Sequence, residues 1–186
     1  MSENVSNSDT KHKIQSSFLT LLSNKSIEKI TIREICTLAN IHRGTFYHYY
    51  GNIFDLSNEI ENDLLKKFET ILSNSSTCTL QETIKDCIYF IYRESTTCRI
   101  FLKHKSNSDI LDKIADMSKS YLINKTPLIQ LNDSETQYMV NCISAGVLGI
   151  VQLWIEHDFQ EPPDTIINCL NRCMSDLFYQ KALINA

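Results

Sequence analysis

Residues 30–50 decide the fold, and they read ITIREICTLANIHRGTFYHYY. Thr31 and Glu34 have the spacing of a capping box, in which each side chain accepts a hydrogen bond from a backbone N–H at a helix start. Apolar residues then recur at helical spacing as far as Ala39. This pattern predicts a helix that begins at Ile32.

A second short helix is predicted over residues 43–50, after a break of only three residues. Asn40 opens that break, and Asn tolerates the left-handed backbone that a sharp turn between helices requires. Phe46 and Tyr50 share one face of the second helix, whereas its other side chains are mostly hydrogen-bond donors. The pattern predicts a helix-turn-helix whose second helix enters the major groove of DNA. The alternative, a helical corner with an aromatic core, fits the many polar side chains poorly.

The charge distribution agrees with a nucleic-acid-binding N-terminal segment. Residues 1–50 carry six Lys and Arg against four Asp and Glu, a net charge of +2. The rest of the chain carries twelve against eighteen, a net charge of −6. A mildly basic segment on an acidic body is expected if only that segment meets phosphates.

The remaining chain is also predicted to be helical. Its 186 residues include only four Gly and three Pro, too few for the many turns of a sheet-rich protein. A second capping box, Thr79 with Glu82, predicts a helix that runs to Arg93, and a Pro-Pro pair allows the last helix to start at Asp164 as its N-cap. We therefore predict an all-α protein of about nine helices, over residues 14–24, 32–39, 43–50, 52–72, 80–93, 96–105, 109–124, 135–157 and 164–183.

This organisation suggests two helical domains behind a short tail. We predict a disordered tail over residues 1–9, a DNA-binding domain over 10–55 with its motif at 31–50, and a C-terminal helical domain for regulation and dimerisation over 56–186. The tail lacks the basic and apolar runs of a secretory signal. The apolar stretch Ala145–Ile155 is shorter than the roughly 20 residues of a membrane helix. We expect a soluble, cytoplasmic protein with no membrane partner.

The cysteines indicate neither a disulfide framework nor a metal site. Seven are present, an odd number, without a C-x-x-C pair. We expect most of them to be buried as small apolar groups. Cys169 and Cys173 lie four residues apart and could bind a metal or sense oxidation, but no His accompanies them on that helix, so burial is the preferred interpretation. No metal and no cofactor are predicted.

Enzymatic function is not indicated by any motif. The sequence contains no G-x-S-x-G, no phosphate-binding loop and no H-E-x-x-H. We therefore predict that the protein is not an enzyme.

The helix-turn-helix resembles the DNA-binding motif of the TetR family, above all in Arg43 to Tyr47, over about residues 10–60. The resemblance implies a homodimer that binds a palindromic operator, with Phe46 and Tyr50 in the core. It implies phosphate or base contacts from Thr31, Arg33, Arg43, Thr45, Tyr47 and Tyr49. The full predicted set of DNA-binding residues is Thr31, Arg33, His42, Arg43, Gly44, Thr45, Tyr47, His48, Tyr49 and Asn52.

Three positions depart from the family pattern. Asn40 stands where Gly is usual, and His42 stands where Ser is often the N-cap. Ile53 replaces a Lys that in many members touches a phosphate. Asn52 is one candidate to replace that contact, and the pair Lys11 and Lys13 is another.

The C-terminal region, with Ala145 to Glu156 followed by Pro-Pro-Asp, is similar to that of a TetR subgroup that includes regulators of dihydroxyacetone kinase operons. The family dimerises through its last two helices. Two interpretations remain open for the apolar residues there, a dimer interface or the chain's own core, because periodicity reports burial and not the partner. They are Val147, Ile150, Trp154, Ile166, Leu170, Cys173 and Leu177.

An effector pocket is a further expectation, since such pockets are mostly apolar and aromatic. Plain core packing is the preferred alternative, because aromatic residues dominate cores. The candidate pocket residues are Tyr89, Phe90, Tyr92, Phe101, Tyr121, Tyr138 and Trp154.

Together these features predict a repressor that a small-molecule or protein effector releases from a palindromic operator. A transcriptional activator is one alternative. Another is a helical protein-interaction module with weak or lost operator binding, which Ile53 and the modest charge of the N-terminal segment favour.

Overall fold

The structure, a computed structural model, describes residues 2–74, 79–103, 110–125 and 134–184. Over these residues it is all-α, as predicted, with nine α-helices and one 3₁₀-helix, Ile27–Lys29. The α-helices are α1 Ser2–Leu22, α2 Ile32–Ala39, α3 Arg43–Tyr49, α4 Ile53–Asn74, α5 Leu80–Arg93, α6 Ser95–Lys103, α7 Ile110–Lys125, α8 Ser134–Glu156 and α9 Pro163–Ile184.

Both predicted capping boxes are present, and each begins its helix where expected. In α2 the Thr31 backbone N–H donates to Glu34 Oε2 at 2.9 Å, and the Glu34 N–H donates to Thr31 Oγ1 at 3.3 Å. In α5 the corresponding distances between Thr79 and Glu82 are 2.7 and 3.2 Å. These reciprocal bonds satisfy backbone donors that a helix start leaves unpaired.

The turn between α2 and α3 is the sharp one that the sequence indicates. Asn40 adopts the left-handed conformation, with φ 53° and ψ 51°. The N–H of Ile41 then donates to the carbonyl of Cys36 at 3.0 Å, which closes the end of α2. Asn40 therefore supplies the left-handed conformation that Gly most often supplies at a helix end.

The chain divides into two compact units, residues 1–64 and 65–186, and the division falls inside α4. Our predicted boundary at residue 55 is nine residues earlier. The first half of α4 belongs to the N-terminal unit because Glu59 binds three of its side chains. Glu59 Oε1 accepts from Gln15 Nε2 at 2.9 Å and from the Tyr50 hydroxyl at 3.0 Å, and it lies 3.1 Å from Lys11 Nζ.

The start of the chain also differs from the prediction, since α1 begins at Ser2 and includes most of the predicted tail, residues 1–9. Apolar periodicity marks only the residues that a helix buries, and among the residues of α1 whose burial the structure describes the first buried one is Ile14. A turn without a repeating apolar face gives no such signal. Asp9 and Lys13 pair across one helical turn at 2.7 Å, which supports this part of α1.

The N-terminal unit has an apolar core of large side chains. α1 packs against α2, and α2 against α3. Five of the eight largest fully buried side chains belong to this unit, namely Phe18, Phe46, Ile14, Ile35 and Leu56.

The C-terminal unit is a helical bundle in which α5 packs against α9, and α8 against α6, α7 and α9. Trp154, 1% exposed, stacks on Tyr92 and donates from Nε1 to the Glu161 carbonyl at 2.9 Å. This bond closes the loop that leads into α9. The last helix begins at Pro163 and not at Asp164, because Pro fits the first turn of a helix, where its missing N–H is not needed.

Within the described residues, one helical segment, Gln137–Glu156 of α8, is long and apolar enough to cross a membrane. Our estimate from Ala145–Ile155 alone was therefore too short. This finding rests on the length and composition of the helix alone, and a core helix of a soluble protein meets the same two criteria.

Candidate nucleic-acid interface

The buried side of α3 fixes the orientation of this helix. Phe46 is 0% exposed and lies 5.7 Å from Tyr50 and 5.8 Å from Tyr47, measured between ring centroids. Tyr50 is 4% exposed and donates its hydroxyl to Glu59, and burial together with this bond raises the pKa of Tyr50 well above its usual value. Because its inner face is anchored at two points, α3 holds its outer face in one orientation.

That outer face carries most of the predicted DNA-binding residues. Arg43, Gly44 and His48 are exposed, and Tyr47 has 54% of its surface exposed. His48 packs edge to face against Tyr49 with ring centroids 5.2 Å apart. His42, also exposed, precedes α3 without a side-chain cap, while Thr45 and Tyr49 are half-buried.

Gly44 has no structural reason to be glycine within the described part of the chain. A Cβ added there would have no neighbour within 4 Å, and the residue lies inside a helix, where Gly costs about 1 kcal/mol relative to Ala. An outer helix surface without a side chain allows close approach by another molecule.

Gly51 contrasts with Gly44. A Cβ at Gly51 would lie 2.8 Å from Asp55 Oδ2, the oxygen that accepts from the Asn52 N–H at 3.2 Å. A Cβ at this position would therefore displace the Asp55 carboxylate from the bond with the Asn52 N–H.

The start of α2 presents Arg33, which is exposed, beside the capping box. Thr31 is less available than predicted, because its hydroxyl donates to Glu34 Oε2 at 2.8 Å and accepts from the Glu34 N–H. Lys25 Nζ lies 2.6 Å from Glu34 Oε1. The hydrogen bonds from Lys25 and then from Thr31 lower the pKa of Glu34 to about 2. Lys25 thus compensates a carboxylate that would otherwise repel phosphate.

The candidates for the missing phosphate contact at Ile53 all have partners inside the protein. Asn52 Oδ1 accepts from the Asp55 N–H at 3.0 Å, and Asn52 Nδ2 donates to Asp55 Oδ2 at 3.0 Å. Lys11 pairs with Glu59, and Lys13 pairs with Asp9. The structure therefore gives Asn52 the role of capping α4.

Most residues of the predicted aromatic pocket lie outside the apolar cavity that the structure contains in the C-terminal unit. Among its residues, only Tyr121 lines the apolar cavity described below. Tyr138 is 77% exposed, and the Tyr89 hydroxyl donates to Asp164 at 2.9 Å. Tyr92 stacks on Trp154, and Phe90 packs against Phe68. Phe101, which is 3% exposed, lies in the core.

The cavity lies within the C-terminal unit and has a volume of about 100 Å³. Residues of α4, α5, α7, α8 and α9 line it. Sequence analysis missed Thr83 and Ser144, two polar residues on this lining. Each is a polar residue on an otherwise apolar helix face, of α5 and of α8, and this is the sequence pattern that could have identified them.

The candidates for a dimer interface separate into two groups. Trp154, Ile166 and Leu170 are 1%, 8% and 1% exposed and belong to the chain's own core, so they leave no surface for a partner. Val147 and Ile150 are half-buried, and Cys173 is exposed. The side chain of Leu177 lies outside the described residues.

The prediction that most cysteines are buried is wrong for three of the six described. Cys142, Cys169 and Cys173 are exposed, whereas Cys36 is buried and Cys87 and Cys98 are half-buried. The helical spacing of Cys169 and Cys173 was correct, but it placed them on the outer face of α9. Cys78 lies outside the described residues. In the described part, no group of three or more His, Cys, Asp or Glu could hold a metal.

Comparison with known proteins places this geometry in a family. Residues 78–176 match the family described as "Transcriptional regulator C-terminal region", a TetR-type domain. No curated protein matches the sequence.

Solved structures of low identity share the fold. A TerR/AcrR-family transcriptional regulator from Aquifex aeolicus VF5 has a TM-score of 0.71 and 20% identity, over 89% of this chain and 98% of the other. A TetR regulator from Streptococcus agalactiae 2603V has a TM-score of 0.65 and 18% identity, over 91% and 96%. The dihydroxyacetone kinase operon activator DhaS has a TM-score of 0.60 and 16% identity, over 92% and 95%.

These structures are regulators and not enzymes, and the match to the C-terminal family covers more than half of the sequence. With the helix-turn-helix of α2 and α3, these findings show that the chain belongs to the TetR family of DNA-binding transcriptional regulators.

Proposed function

We propose that this protein is a cytoplasmic, homodimeric repressor that binds a palindromic operator through the exposed face of α3. One observation carries the proposal. Arg43, Gly44 and Tyr47 share an exposed helix face whose orientation two buried aromatic residues fix. Such an arrangement is what a recognition helix in the major groove requires.

The residues of this face suit different parts of the contact. Arg43 can form a bidentate pair with a guanine edge or bind a phosphate. The hydroxyl of Tyr47 can donate to a phosphate oxygen, and Gly44 between them lets the helix backbone approach the DNA. Arg33, at the start of α2, lies near the helix end whose free N–H groups favour phosphate.

Dimerisation is proposed through the outer faces of α8 and α9. On α8 an exposed stripe contains Tyr138, Cys142, Gly146, Gly149 and Leu153, at the spacing of one helix face. Tyr138 is 77% exposed and Leu153 is 53% exposed. Exposed apolar side chains with small residues between them favour close helix packing against a second copy.

A homodimer implies a palindromic operator, because two recognition helices related by a two-fold axis bind two equivalent half-sites. Repression follows if the bound dimer blocks transcription. Release follows if an effector binds better to a conformation in which the two helices no longer match successive grooves.

A second candidate function is a regulator that acts mainly through protein contacts and binds operator DNA weakly. The internal pairing of Lys11, Lys13 and Asn52 favours it, because the phosphate contact missing at Ile53 is then not replaced. An activator is a third candidate, since DhaS, which shares the fold, is described as an activator.

The experiment is selection of bound duplexes from a random DNA pool, with the wild type, Arg43→Ala and Tyr47→Ala. Arg93→Ala is the matched control, because Arg93 is an exposed arginine on α5 in the other unit. We expect a palindrome from the wild type and the control, and its loss from both α3 variants. A folded wild-type dimer that enriches no sequence would contradict the proposal and favour regulation by protein contacts.

A further inference from the structure

The cavity in the C-terminal unit has a chemically uniform wall. Its nineteen lining residues include no Asp, Glu, Lys, Arg or His. Most of them are aliphatic, with Phe68 on one side, and the side chains that form the wall come from five different helices. An ion placed there would lose its hydration without gaining a charged partner, so the wall excludes charged ligands.

One polar atom on this wall has no partner. Ser144, on α8, is 4% exposed, and its Oγ atom forms no hydrogen bond within the part of the chain that the structure describes. A buried hydroxyl without a partner costs stability, and such groups are rare in native proteins. Ser144 is therefore available to a bound molecule as a donor and as an acceptor.

A second polar group on the wall is already satisfied. Thr83 Oγ1 donates to the Thr79 carbonyl at 3.2 Å, and the Tyr121 hydroxyl lies 2.8 Å from the same atom. Since Thr83 has only one hydroxyl proton, Tyr121 is the donor in this pair. Among the described hydroxyl groups on this wall, Ser144 Oγ is the buried one without a partner, whereas Ser118 is half-buried.

The volume limits the size of the occupant. About 100 Å³ is less than the roughly 150 Å³ of an engineered apolar cavity that binds benzene. A molecule with about six non-hydrogen atoms, the size of benzene, is therefore the upper limit that such a volume suggests.

We propose that this cavity binds a small uncharged molecule that is mostly hydrocarbon and carries one hydroxyl group, which pairs with Ser144. The apolar wall of the cavity suits the hydrocarbon part of such a molecule, and the unpaired hydroxyl of Ser144 suits its hydroxyl group. That this molecule also changes operator affinity rests on the proposed function, whereas its binding to the free protein does not.

The test measures binding of cyclopentanol, cyclopentane and cyclopropanecarboxylate to the full-length protein without DNA, by calorimetry or ligand-observed NMR. Each probe is a small ring with about five or six non-hydrogen atoms, and the three differ in the polar group. We expect cyclopentanol to bind about fivefold more tightly to the wild type than to Ser144→Ala, as one additional hydrogen bond gives. We expect cyclopropanecarboxylate to bind the wild type at least about a hundredfold more weakly than cyclopentanol, because its charge would be buried without a partner.

Two variants separate the hydroxyl contact from the cavity. Ser144→Ala should bind cyclopentane as the wild type does and cyclopentanol about fivefold more weakly. Ala115→Phe, which places a ring into the cavity from α7, should bind neither neutral probe. The proposal is overturned if cyclopropanecarboxylate binds as well as cyclopentanol, if Ser144→Ala binds cyclopentanol as tightly as the wild type does, or if the wild type binds neither neutral probe. Operator selection is unaffected by any of these results, so failure here leaves the proposed function standing.

Discussion

The two units use their interiors in opposite ways. The N-terminal unit, about a third of the chain, fills its core with large side chains and places its candidate chemistry on the outside of α3. The C-terminal unit leaves a cavity with an unpaired hydroxyl inside and an apolar stripe outside. A close-packed core holds a surface in one orientation, whereas ligand binding inside a unit, as proposed for the C-terminal one, requires space between its helices.

The largest expected effect on stability comes from removing a large side chain from the core of the N-terminal unit. Phe46→Ala removes a ring that is 0% exposed, and we expect a loss of about 3–5 kcal/mol in the free energy of unfolding. Ala115→Phe, in the other unit, adds a ring where space exists, and we expect no loss and a gain of up to about 1 kcal/mol. Urea unfolding followed by circular dichroism measures both.

Tyr47→Ala is the matched control for Phe46→Ala, since both remove an aromatic ring from α3 but Tyr47 is 54% exposed. Its stability should change by less than about 1 kcal/mol. The contrast between the units fails if Phe46→Ala is tolerated as well as this control, or if Ala115→Phe destabilises as a substitution into a filled core would.

Local features of the fold were predictable because their causes are local. Thr31 with Glu34 and Thr79 with Glu82 define helix starts by hydrogen bonds within four residues, and both starts were correct. The prediction of a left-handed conformation at Asn40 was correct for the same reason, since it concerns the backbone of a single residue. On α3 the alternation of buried Phe46 with exposed neighbours follows from helical spacing alone.

The features that sequence analysis missed depend on how distant helices meet. The cavity is a space among five helices, so aromatic content could not locate it, and Tyr138 is exposed although it was a pocket candidate. Leu170 was equally suited to a core or an interface, because periodicity shows only that a face is buried. The bond between Glu59 of α4 and Gln15 of α1 joins segments that are far apart in sequence, so local sequence patterns give no sign of it.

Substitutions at two glycines should have effects of intermediate size, and together they allow the outer surfaces of the two units to be compared. Gly44 on α3 and Gly149 on α8 both lie in helices with nothing within 4 Å of an added Cβ. Gly44→Ala should stabilise the protein by up to about 1 kcal/mol, from helix propensity, yet weaken operator binding by about tenfold through the added methyl group. Fluorescence anisotropy with the selected operator, beside thermal unfolding, tests these opposite signs.

Gly149→Leu is the counterpart on the proposed dimer face. The added side chain should leave the helix content unchanged and shift the dimer toward monomer in sedimentation experiments, because close helix approach is lost. Each glycine variant is the control for the other, since Gly44→Ala should remain dimeric. If Gly149→Leu remains dimeric too, the α8 stripe is not the interface.

The smallest effect is a pH dependence confined to the N-terminal unit. The pKa of Glu34 is lowered to about 2 by hydrogen bonds from Lys25 and Thr31, whereas an unfolded Glu titrates near 4.5. A carboxylate whose pKa is lower in the folded state contributes stability that is fully present above the unfolded pKa. As pH falls from about 4.5 towards 2, this contribution is lost. Glu34→Gln, which cannot titrate, should therefore differ from the wild type most above pH 4.5, and the difference should shrink as pH falls towards 2.

Glu82 is the matched comparison, since it has the same place in the capping box of α5. Hydrogen bonds from Thr79 lower the pKa of Glu82, but no lysine hydrogen-bonds to its carboxylate there. Glu82→Gln should accordingly show the same sign with a smaller difference. Equal pH profiles for the two variants would mean that Lys25 adds nothing to the cap. The start of α2 would then be held by the same local bonds that start α5 in the C-terminal unit.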